Sequence, residues 1–513
     1  MDGIKKAWLY YRPIAANKFD SIQLTAGASN AFEASVQNNF LDALGMEYYF
    51  KAEDNTGLKS TVPATSGTYF QSYKDGEGAF VPQTAFNTGT KMADYRIIAI
   101  PFELVNPSIG TQFGELGDHK KSAYRIATYA GNGNWFEFPD PSVNVFSRGK
   151  GYWFLTAKSA EQLSLEGESV PHNYRSSLFK MTLQPEWNQI GNPYPLAINW
   201  NDVIAYNNNP DIGTLMTFDH GYQDANELKP YEGGFVKYNG TSAVTIEVPF
   251  QGQVSAGGRA RSDFTQDIGK MNWLLRLVVS DGEITSSIAA IGMHPLASDG
   301  IDRYDNFCPP SFLQYPEIQF EHDQAQLAKD IVASREKNVW RFRIAGIKDA
   351  PVRLKWDNTT LGANTLQLYL LDLEGNRLID MRGVGSYFAR GGGRYEIYYG
   401  QNIHDEILPD EVNVSAPYPN PIYTHNTPGE VHSPVALKGQ SHSYNITIEL
   451  INLQGQMVNQ VSYYNLAPGF HELDWIAKDR NNTPLSPGLY FVRIRVNGGT
   501  QYYDFVKRLM IQP

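Results

Sequence analysis

The chain has 513 residues, a formal net charge of −11 and a hydrophobic content of 42%. A chain of this length is too long to fold around one hydrophobic core, so the length predicts three to five domains. The acidic balance argues against nucleic-acid binding, which needs a positive face to displace counterions from phosphates. No apolar run reaches the roughly eighteen residues of a membrane-spanning helix, so we expect no transmembrane segment.

The composition also indicates the fold class. Tyr (31), Phe (26) and Gly (45) are abundant, which favours strands and turns. The single cysteine, Cys308, excludes a disulfide framework and a thiolate metal site. We therefore predict an all-β protein built from tandem β-sandwiches of immunoglobulin-like and jelly-roll-like type.

Residues 1–62 are predicted to form a first small sandwich. Ala7, Leu9 and Tyr11 alternate with Trp8, Tyr10 and Arg12, and this period of two is typical of a strand with two different faces. A second strand pattern over 47–54 ends in an Asn-Thr-Gly turn. The segment resembles the fibronectin-type or immunoglobulin-like modules of bacterial surface proteins, which act as spacers or docking surfaces.

Residues 63–255 contain an internal repeat, with halves at about 63–170 and 171–255. Residues 95–104 align without gaps on 187–196, and the later segments 125–129 and 151–154 correspond to 214–218 and 233–236. Matching apolar, small and proline positions in the same order predict duplicated β-units that pack as pseudo-symmetric halves.

A linker and a third domain are expected next. Residues 252–270 are rich in Gly, Ser, Arg and Asp, which indicates a linker or long loop. Strand patterns then recur over 270–405, at a spacing that suggests a jelly-roll-like sandwich. Residues 401–415 form an acidic connector, which we expect to be exposed and to be the natural place for proteolytic separation of the last domain.

Residues 415–513 are predicted to form a last antiparallel sandwich that folds on its own. Alternating runs occupy 445–450 and 489–496, and Gly455 lies where a hairpin needs a backbone conformation that a Cβ would oppose. The simplest interpretation of this segment is that it is one more β-sandwich, with Gly and Pro placed where turns require them.

Ordered motifs in this segment carry a family resemblance. They are Tyr-Pro-Asn-Pro at 418–421, Leu-Gln-Gly-Gln-Met-Val at 453–458, Leu-Asp-Trp at 473–475, Pro-Gly-Leu-Tyr-Phe at 487–491 and Phe-Val-Lys-Arg-Leu at 505–509. In this order they resemble the C-terminal sorting domain of type IX secretion cargo from Bacteroidota, which is similar to the immunoglobulin-like domain of flagellar hook-capping proteins.

The resemblance implies a function, partners and a set of signature residues. In the family the domain is an export address that the outer-membrane translocon and its shuttle protein recognise, and it is often removed at the cell surface. A secreted or cell-surface location follows. The positions that match the motif are Pro419, Asn420, Pro421, Gly455, Gly488, Tyr490 and Lys507.

The chain begins Met1-Asp2-Gly3, without the basic and apolar regions of a signal peptide. Type IX cargo carries such a peptide for its first membrane crossing. Because residues 4–9 already have a strand pattern, we interpret the chain as a C-terminal fragment with an added start.

The sequence lacks the common catalytic motifs: no nucleophile elbow, zinc-protease helix, Walker loop or dinucleotide fingerprint is present. We therefore expect no enzyme and no cofactor. One ligand candidate is a loop with Asp299, Asp302 and Asp305, whose oxygens suit calcium. Arg303 in the same loop works against a cation, and turn capping is the alternative role.

Two hypotheses about function remain from the sequence. The first is the C-terminal part of a secreted or surface protein, exported through its last domain. The alternative is an adhesin or carbohydrate-binding region with a ligand site in residues 60–410, which a solvent-exposed row of aromatic side chains on one sheet would support.

Overall fold

The computed structural model describes residues 3–14, 16, 18–27, 31–37, 45–64, 69–73, 79–80, 89–117, 123–157, 163–164, 178–249, 272–311, 313–322, 325–361, 365–423, 429–439 and 443–513. Strands dominate these residues, and the predicted all-β fold of tandem sandwiches is confirmed. The predicted linker at 252–270 lies outside them.

The chain divides into two compact units. One comprises residues 1–266 with 309–314, and the other comprises 267–308 with 315–513. The boundaries of the four predicted domains stay predictions.

The first unit begins with a five-stranded sheet of order β2-β1-β5-β6, in which β7 also pairs with β5. Ala7 and Leu9 are buried on one face of β1, as the alternation predicts, and pack against Leu24 of the facing segment. The strands of this region are β1 Ile4–Pro13, β2 Asp20–Gln23, β3 Thr25–Ala26, β4 Phe32–Glu33, β5 Gly45–Asp54, β6 Lys59–Val62 and β7 Phe70–Tyr73.

Two four-stranded sheets follow in the same unit, with β8 paired to β13 and β14 to β21. Their elements are β8 Ala79–Phe80, β9 Arg96–Ile98, α1 Ile109–Gln112, β10 Tyr124–Gly131, β11 Asn134–Glu137, β12 Tyr152–Thr156, β13 Leu163–Ser164, β14 Phe179–Leu183, β15 Glu186–Gly191, β16 Ile198–Asn199, α2 Trp200–Asn207, β17 Ile212–Phe218, β18 Tyr222–Ala225, β19 Glu227–Leu228, β20 Gly233–Tyr238 and β21 Val244–Val248.

The two four-stranded sheets have the same strand order. The first runs β11-β10-β12-β9 and the second runs β18-β17-β20-β15, so each strand aligned by the repeat occupies the same place in its own sheet. Positions equivalent in the alignment also meet, since a Cβ built on Gly191 would lie 2.5 Å from the Cβ of Ala99. That Cβ would also lie 2.4 Å from the carbonyl oxygen of Lys150, so close packing of the halves requires glycine here.

The second unit opens with one continuous sheet of order β30-β29-β32-β27-β25-β26-β23-β22-β28-β31, in which β24 also pairs with β26. Its elements are β22 Trp273–Ser280, β23 Thr285–His294, β24 Asn306–Phe307, β25 Glu317–His322, β26 Ala325–Ala333, β27 Asn338–Ala345, β28 Pro351–Trp356, β29 Gln367–Asp372, β30 Arg377–Asp380, β31 Ser386–Arg390, β32 Arg394–Gly400 and α3 Ile403–Glu406.

This sheet curls around a single core. Trp273, Trp340 and Tyr399 are buried together in it, and side chains join its two ends. The indole Nε1 of Trp356 donates to the carbonyl oxygen of Met381 at 2.8 Å, and the hydroxyl of Tyr387 donates to Asp372 Oδ2 at 2.8 Å.

The last part of the second unit is a two-sheet sandwich formed by 413–512. A three-stranded sheet of order β33-β35-β38 faces a five-stranded sheet of order β34-β40-β39-β36-β37. Its strands are β33 Asn413–Val414, β34 Ile422–Tyr423, β35 Glu430–Leu437, β36 Tyr444–Ile451, β37 Met457–Leu466, β38 Gly469–Ile476, β39 Gly488–Asn497 and β40 Tyr502–Gln512.

The sandwich has a core of its own. Ile446, Ile448 and Leu450 of β36 pack against Val492 and Ile494 of β39, as the predicted alternation requires. Among the described residues, neither of its sheets includes a strand of the curled sheet before it.

The acidic connector at 401–415 is exposed only in part, whereas we expected an exposed, unpaired segment. Ile403 and Ile407 are buried in a small cluster with Leu371, and Val412 and Val414 are buried in the core of the last sandwich. Apolar residues between the acids therefore fix the connector at both ends. Asp410 and Glu411 remain exposed between the two anchors.

Candidate recognition site in the last sandwich

The Tyr-Pro-Asn-Pro segment carries the chain from one sheet of the last sandwich to the other. Tyr418 exchanges two backbone hydrogen bonds with His432 of β35, at 3.0 and 2.8 Å. Four residues later, Ile422 pairs in parallel with Ile511 of β40. Pro419 and Pro421, which have no N–H to donate, therefore lie at the crossing, where no ladder hydrogen bond is lost.

Asn420 connects this crossing to the edge of β40. Its Nδ2 donates to the carbonyl oxygen of Arg508 at 2.9 Å, and its Oδ1 accepts from the backbone N–H of Met510 at 2.9 Å. The side-chain amide thus satisfies one acceptor and one donor that a neighbouring strand would otherwise satisfy.

Gly455, Gly488 and Tyr490 lie at the same end of the five-stranded sheet as Asn420. Gly455 adopts φ +79° in the turn from β36 to β37. This turn follows Ile451, the last residue of β36, which pairs with Phe491. Gly488 pairs with Ile511. Only a residue without a Cβ adopts the conformation of Gly455 without strain.

Tyr490 and Lys507 belong to the inward face of this sheet. Tyr490 pairs with Leu509, and its hydroxyl donates to the carbonyl oxygen of Ser486 at 3.0 Å. Burial raises the pKa of Tyr490. Lys507 pairs with Val492 and is partly exposed at the margin of the core, two residues from Leu509 along β40.

The structure thus brings Asn420, Gly455, Gly488 and Tyr490 to one end of one sheet, with the two prolines beside them and Lys507 slightly further along. Whether any of these residues contacts a partner stays a prediction.

The outward face of the same sheet end carries an apolar surface that the sequence reasoning missed. Cross-strand pairs join Leu489 to Met510 and Ile451 to both Phe491 and Met457. We call these five residues the outer apolar patch. Met457 and Met510 are exposed, and the other three are partly exposed. The period of two in the motifs themselves indicated this second face.

The predicted calcium residues form a hydrogen-bonded loop. Asp302 accepts from the backbone N–H groups of Ser298 and Tyr304, and Asp305 accepts from those of Asp302 and Ile331, at 2.7–2.8 Å. Asp299 pairs with Arg335. Both oxygens of Asp302 and of Asp305 therefore already have backbone donors, which favours the capping role. The calcium hypothesis stays a prediction.

Burial, with the nearby carboxylates of Asp330 and Asp302, raises the pKa of Asp305 to about 6. Asp330 in turn lies 3.1 Å from Nδ1 of His322, whose Nε2 lies 2.9 Å from the carbonyl oxygen of Asp299. The loop is thus connected to β25 and β26 through a partly buried polar network. A polar cleft of about 320 Å³ opens beside it.

A second polar cluster lies where the last sandwich meets β30. Nδ1 of His432 lies 2.7 Å from Asp474 Oδ1 and 3.5 Å from Glu472 Oε1, so one ligand atom of each residue could approach a metal ion. Arg377 donates to Glu472 at 2.8 Å, and Tyr418 also donates to it. The guanidinium supplies the positive charge that a metal would bring, so we read the cluster as an ion-pair network.

Comparisons with known proteins assign the chain to no family. No family model and no curated protein matches it. Solved structures with some likeness include latent PorU of Porphyromonas gingivalis, with 9% identity and a TM-score of 0.18, covering 92% of this chain and 32% of PorU. PorZ, a surface component of the type IX secretion system of the same organism, has 11% identity and a TM-score of 0.15, covering 92% of this chain and 70% of PorZ.

A tetra-tandem repeat of a large adhesion protein has 10% identity and a TM-score of 0.15, covering 100% of this chain and 93% of the repeat. At such TM-scores these likenesses carry no argument about fold or function. The class of the protein, an all-β chain of tandem sandwiches, rests on its own strand pairing. Among the described residues, no helix has the length and apolar character needed to cross a membrane.

Proposed function

We propose that the chain is the C-terminal part of a secreted or cell-surface protein, and that residues 415–513 are its export address. The partners are the type IX translocon and the outer-membrane shuttle protein. In this proposal the chain is not an enzyme, and the domains before the address are cargo.

The observation that carries the proposal is the independent core of the last sandwich. Ile446, Leu450, Val492, Ile494 and Leu509 pack within 413–512. An address must keep its shape on different cargoes, so it needs a hydrophobic interior that does not depend on the cargo.

A second observation supports the proposal. Motif positions far apart in the sequence, Asn420, Gly455 and Gly488, lie at one end of one sheet. The outer apolar patch lies at the same end. Partly exposed apolar side chains beside fixed turns are a common form of protein recognition surface.

The test is an export assay. A reporter with a signal peptide is fused to residues 410–513 in a bacterium that has a type IX system, and the reporter is measured in periplasm, on the surface and in the medium. We expect it outside the outer membrane. A reporter that stays in the periplasm would refute the proposal.

Two variants of the fusion separate recognition from folding. Leu489→Ser combined with Met510→Ser removes part of the outer apolar patch. We expect this fusion to stay in the periplasm while the midpoint of its thermal unfolding is unchanged. Tyr502→Ser is the matched control, because Tyr502 is 76% exposed at the other end of β40. Export should be normal in this control.

The adhesin or carbohydrate-binding alternative also has an observation in its favour. A partly exposed row of aromatic side chains occurs on one sheet of the first module, at residues 8–51, which precedes the range 60–410 predicted for the ligand site. The two proposals are compatible, since an export address does not state what the cargo binds.

A further inference from the structure

The five-stranded sheet at the start of the chain presents aromatic side chains on the face opposite its core. In β1, Ala7 and Leu9 are buried in the core, so Trp8 and Tyr10 point to the other side. The antiparallel register sets Tyr10 opposite Tyr49 and Trp8 opposite Lys51. We call Trp8, Tyr10, Tyr49 and Lys51 the aromatic platform.

The rings of the platform are held in a fixed arrangement. Tyr10 and Tyr49 stack with ring centroids 4.8 Å apart and planes 7° apart. Lys51 Nζ lies 4.9 Å from the Tyr10 centroid and 5.7 Å from that of Tyr49. The sheet therefore orders an ammonium group beside two parallel rings before any ligand arrives.

A packed cluster at one end of the platform keeps it in place. The Arg12 guanidinium lies 4.2 Å from the ring centroid of Phe19 and binds Glu47 at 2.7 Å. Phe19 packs on Tyr49 and Tyr69, with ring centroids 5.0 and 4.8 Å away. Arg12, Phe19 and Tyr69 therefore already have partners within this cluster.

The other end of the platform is open and polar at its border. Trp8 and Tyr10 are partly exposed, while Lys51, Ser21 and Gln23 are exposed. Ser21 pairs with Tyr10 and Gln23 with Trp8 across the strand boundary. Across the part of the chain that the structure describes, Lys51 forms no ion pair, so its charge is available to a ligand.

This combination fits a sugar polymer with negative charge. The electron-rich faces of aromatic rings attract the polarised C–H groups on one side of a sugar ring, and hydroxyl and amide side chains accept and donate to sugar hydroxyls. An ammonium group adds a charge-assisted bond to a carboxylate.

We propose that the aromatic platform binds an acidic, uronate-containing polysaccharide. Trp8 stacks on a sugar ring, Lys51 pairs with a uronate carboxylate, and the stacked Tyr10–Tyr49 pair holds the ammonium group in place beside them. The charge of Lys51 selects this ligand over a neutral polysaccharide. The inference is independent of the export proposal, because it concerns the opposite end of the chain.

The test uses the full chain and two defined probes, polymannuronate and a neutral mannan, in affinity electrophoresis and calorimetry. We expect polymannuronate to bind at least tenfold more tightly than the mannan. Trp8→Ala should abolish binding to both probes. Lys51→Met, which keeps the apolar stem, should lower affinity for polymannuronate about tenfold and leave the mannan unaffected.

Phe388→Ala is the matched control. Phe388 is 72% exposed and lies 5.5 Å from the Arg353 guanidinium, so it is a cation–aromatic pair, and no other described ring stacks on it. We expect unchanged binding. The inference is overturned if the wild type binds neither probe, or if Trp8→Ala or Lys51→Met binds polymannuronate as tightly as wild type.

Sedimentation of the wild type tests the competing occupant, a second copy of the chain. The platform proposal expects a monomer whose sedimentation does not change with Trp8→Ala. A dimer that Trp8→Ala dissociates would overturn the proposal in favour of self-association.

Discussion

At the scale of single residues, Glu317 of β25 has a carboxyl group that is buried in the curled sheet. It is 8% exposed. Its Oε2 accepts from Gln319 at 3.1 Å, whereas none of the described residues donates a hydrogen bond to its Oε1. Burial raises the pKa of Glu317 from 4.5 to about 7. The folded protein therefore holds this proton across a range in which the unfolded chain has lost it.

We predict that Glu317 makes stability fall as the pH rises. Its contribution is complete below about pH 4.5 and is lost as the pH rises through about 7. The loss is on the order of 3 kcal/mol, because a tenfold change in proton affinity corresponds to about 1.4 kcal/mol. Glu317→Gln should remove this dependence and stabilise the sheet at pH 8 by about 1–3 kcal/mol in urea unfolding followed by tryptophan fluorescence.

Glu321→Gln is the control for this prediction. Glu321 lies on the same strand but is exposed, so its variant should keep the slope of stability with pH. A Glu317→Gln protein that retains the wild-type slope would show that another group is responsible.

At the scale of elements, the edge of β40 depends on one side chain. Asn420 replaces a strand at Arg508 and Met510 with two hydrogen bonds of 2.9 Å. Beyond these residues β34 pairs only with Ile511 and Gln512. An edge strand with unpaired backbone groups is less stable and more open to unwanted pairing.

We predict that Asn420→Ala lowers the free energy of unfolding of the last sandwich by about 1–3 kcal/mol, because it removes both hydrogen bonds. The measurement is chemical unfolding of a fragment covering 410–513, which contains the whole core of that sandwich. Asn481→Ala, at an exposed turn, should change stability by less than about 0.5 kcal/mol. Equal effects of the two changes would contradict the role given to Asn420.

At the scale of the second unit, the last sandwich is docked on the curled sheet. Phe470 of β38 packs on the cluster of Leu371, Ile403 and Ile407. Arg377 binds Glu472 at 2.8 Å, and Asn376 donates to Ser415 Oγ at 3.0 Å. The sandwich has its own core, but it is not free of its neighbour.

We predict that Phe470→Ala loosens this docking and increases cleavage after Glu411 by a glutamate-specific protease about tenfold. Loss of a partly buried ring costs on the order of 1–2 kcal/mol, and about 1.4 kcal/mol is a factor of ten in the population of an open state. The rate is read from the appearance of the fragment that begins at residue 412.

Tyr502→Ala, an exposed position on β40, serves as the control and should leave the cleavage rate unchanged. The docking would be of no consequence for the connector if both variants were cleaved at the wild-type rate while remaining folded.

Alternation along the strands made much of this architecture predictable. Ile446, Ile448 and Leu450 face one core because successive side chains point to opposite sides, and that rule needs no tertiary information. The repeat was visible because equivalent strands of the two halves hold equivalent places in their sheets. The turn at Gly455 was predictable for a similar local reason, its positive φ.

The candidate site was predictable only in part. The motif includes Asn420, but the role of Asn420 at the edge of β40 depends on a contact with a residue 88 positions away in the sequence. The outer apolar patch was missed because each of its members looks like an ordinary strand residue. The connector is exposed only in part: Asp410 and Glu411 are exposed as expected, while the apolar Ile403 and Val412 are buried.

The sequence by itself determined the fold class, the repeat and the order of the motifs, since these depend on local period and composition. Tertiary structure alone decided that Trp8, Tyr10 and Lys51 form one surface with Tyr49. It also decided that Glu317 is buried with one oxygen to which no described residue donates, and that the last sandwich packs on the curled sheet. The reason is physical: burial and cross-strand register come from pairing between segments far apart in the chain, which no local pattern specifies.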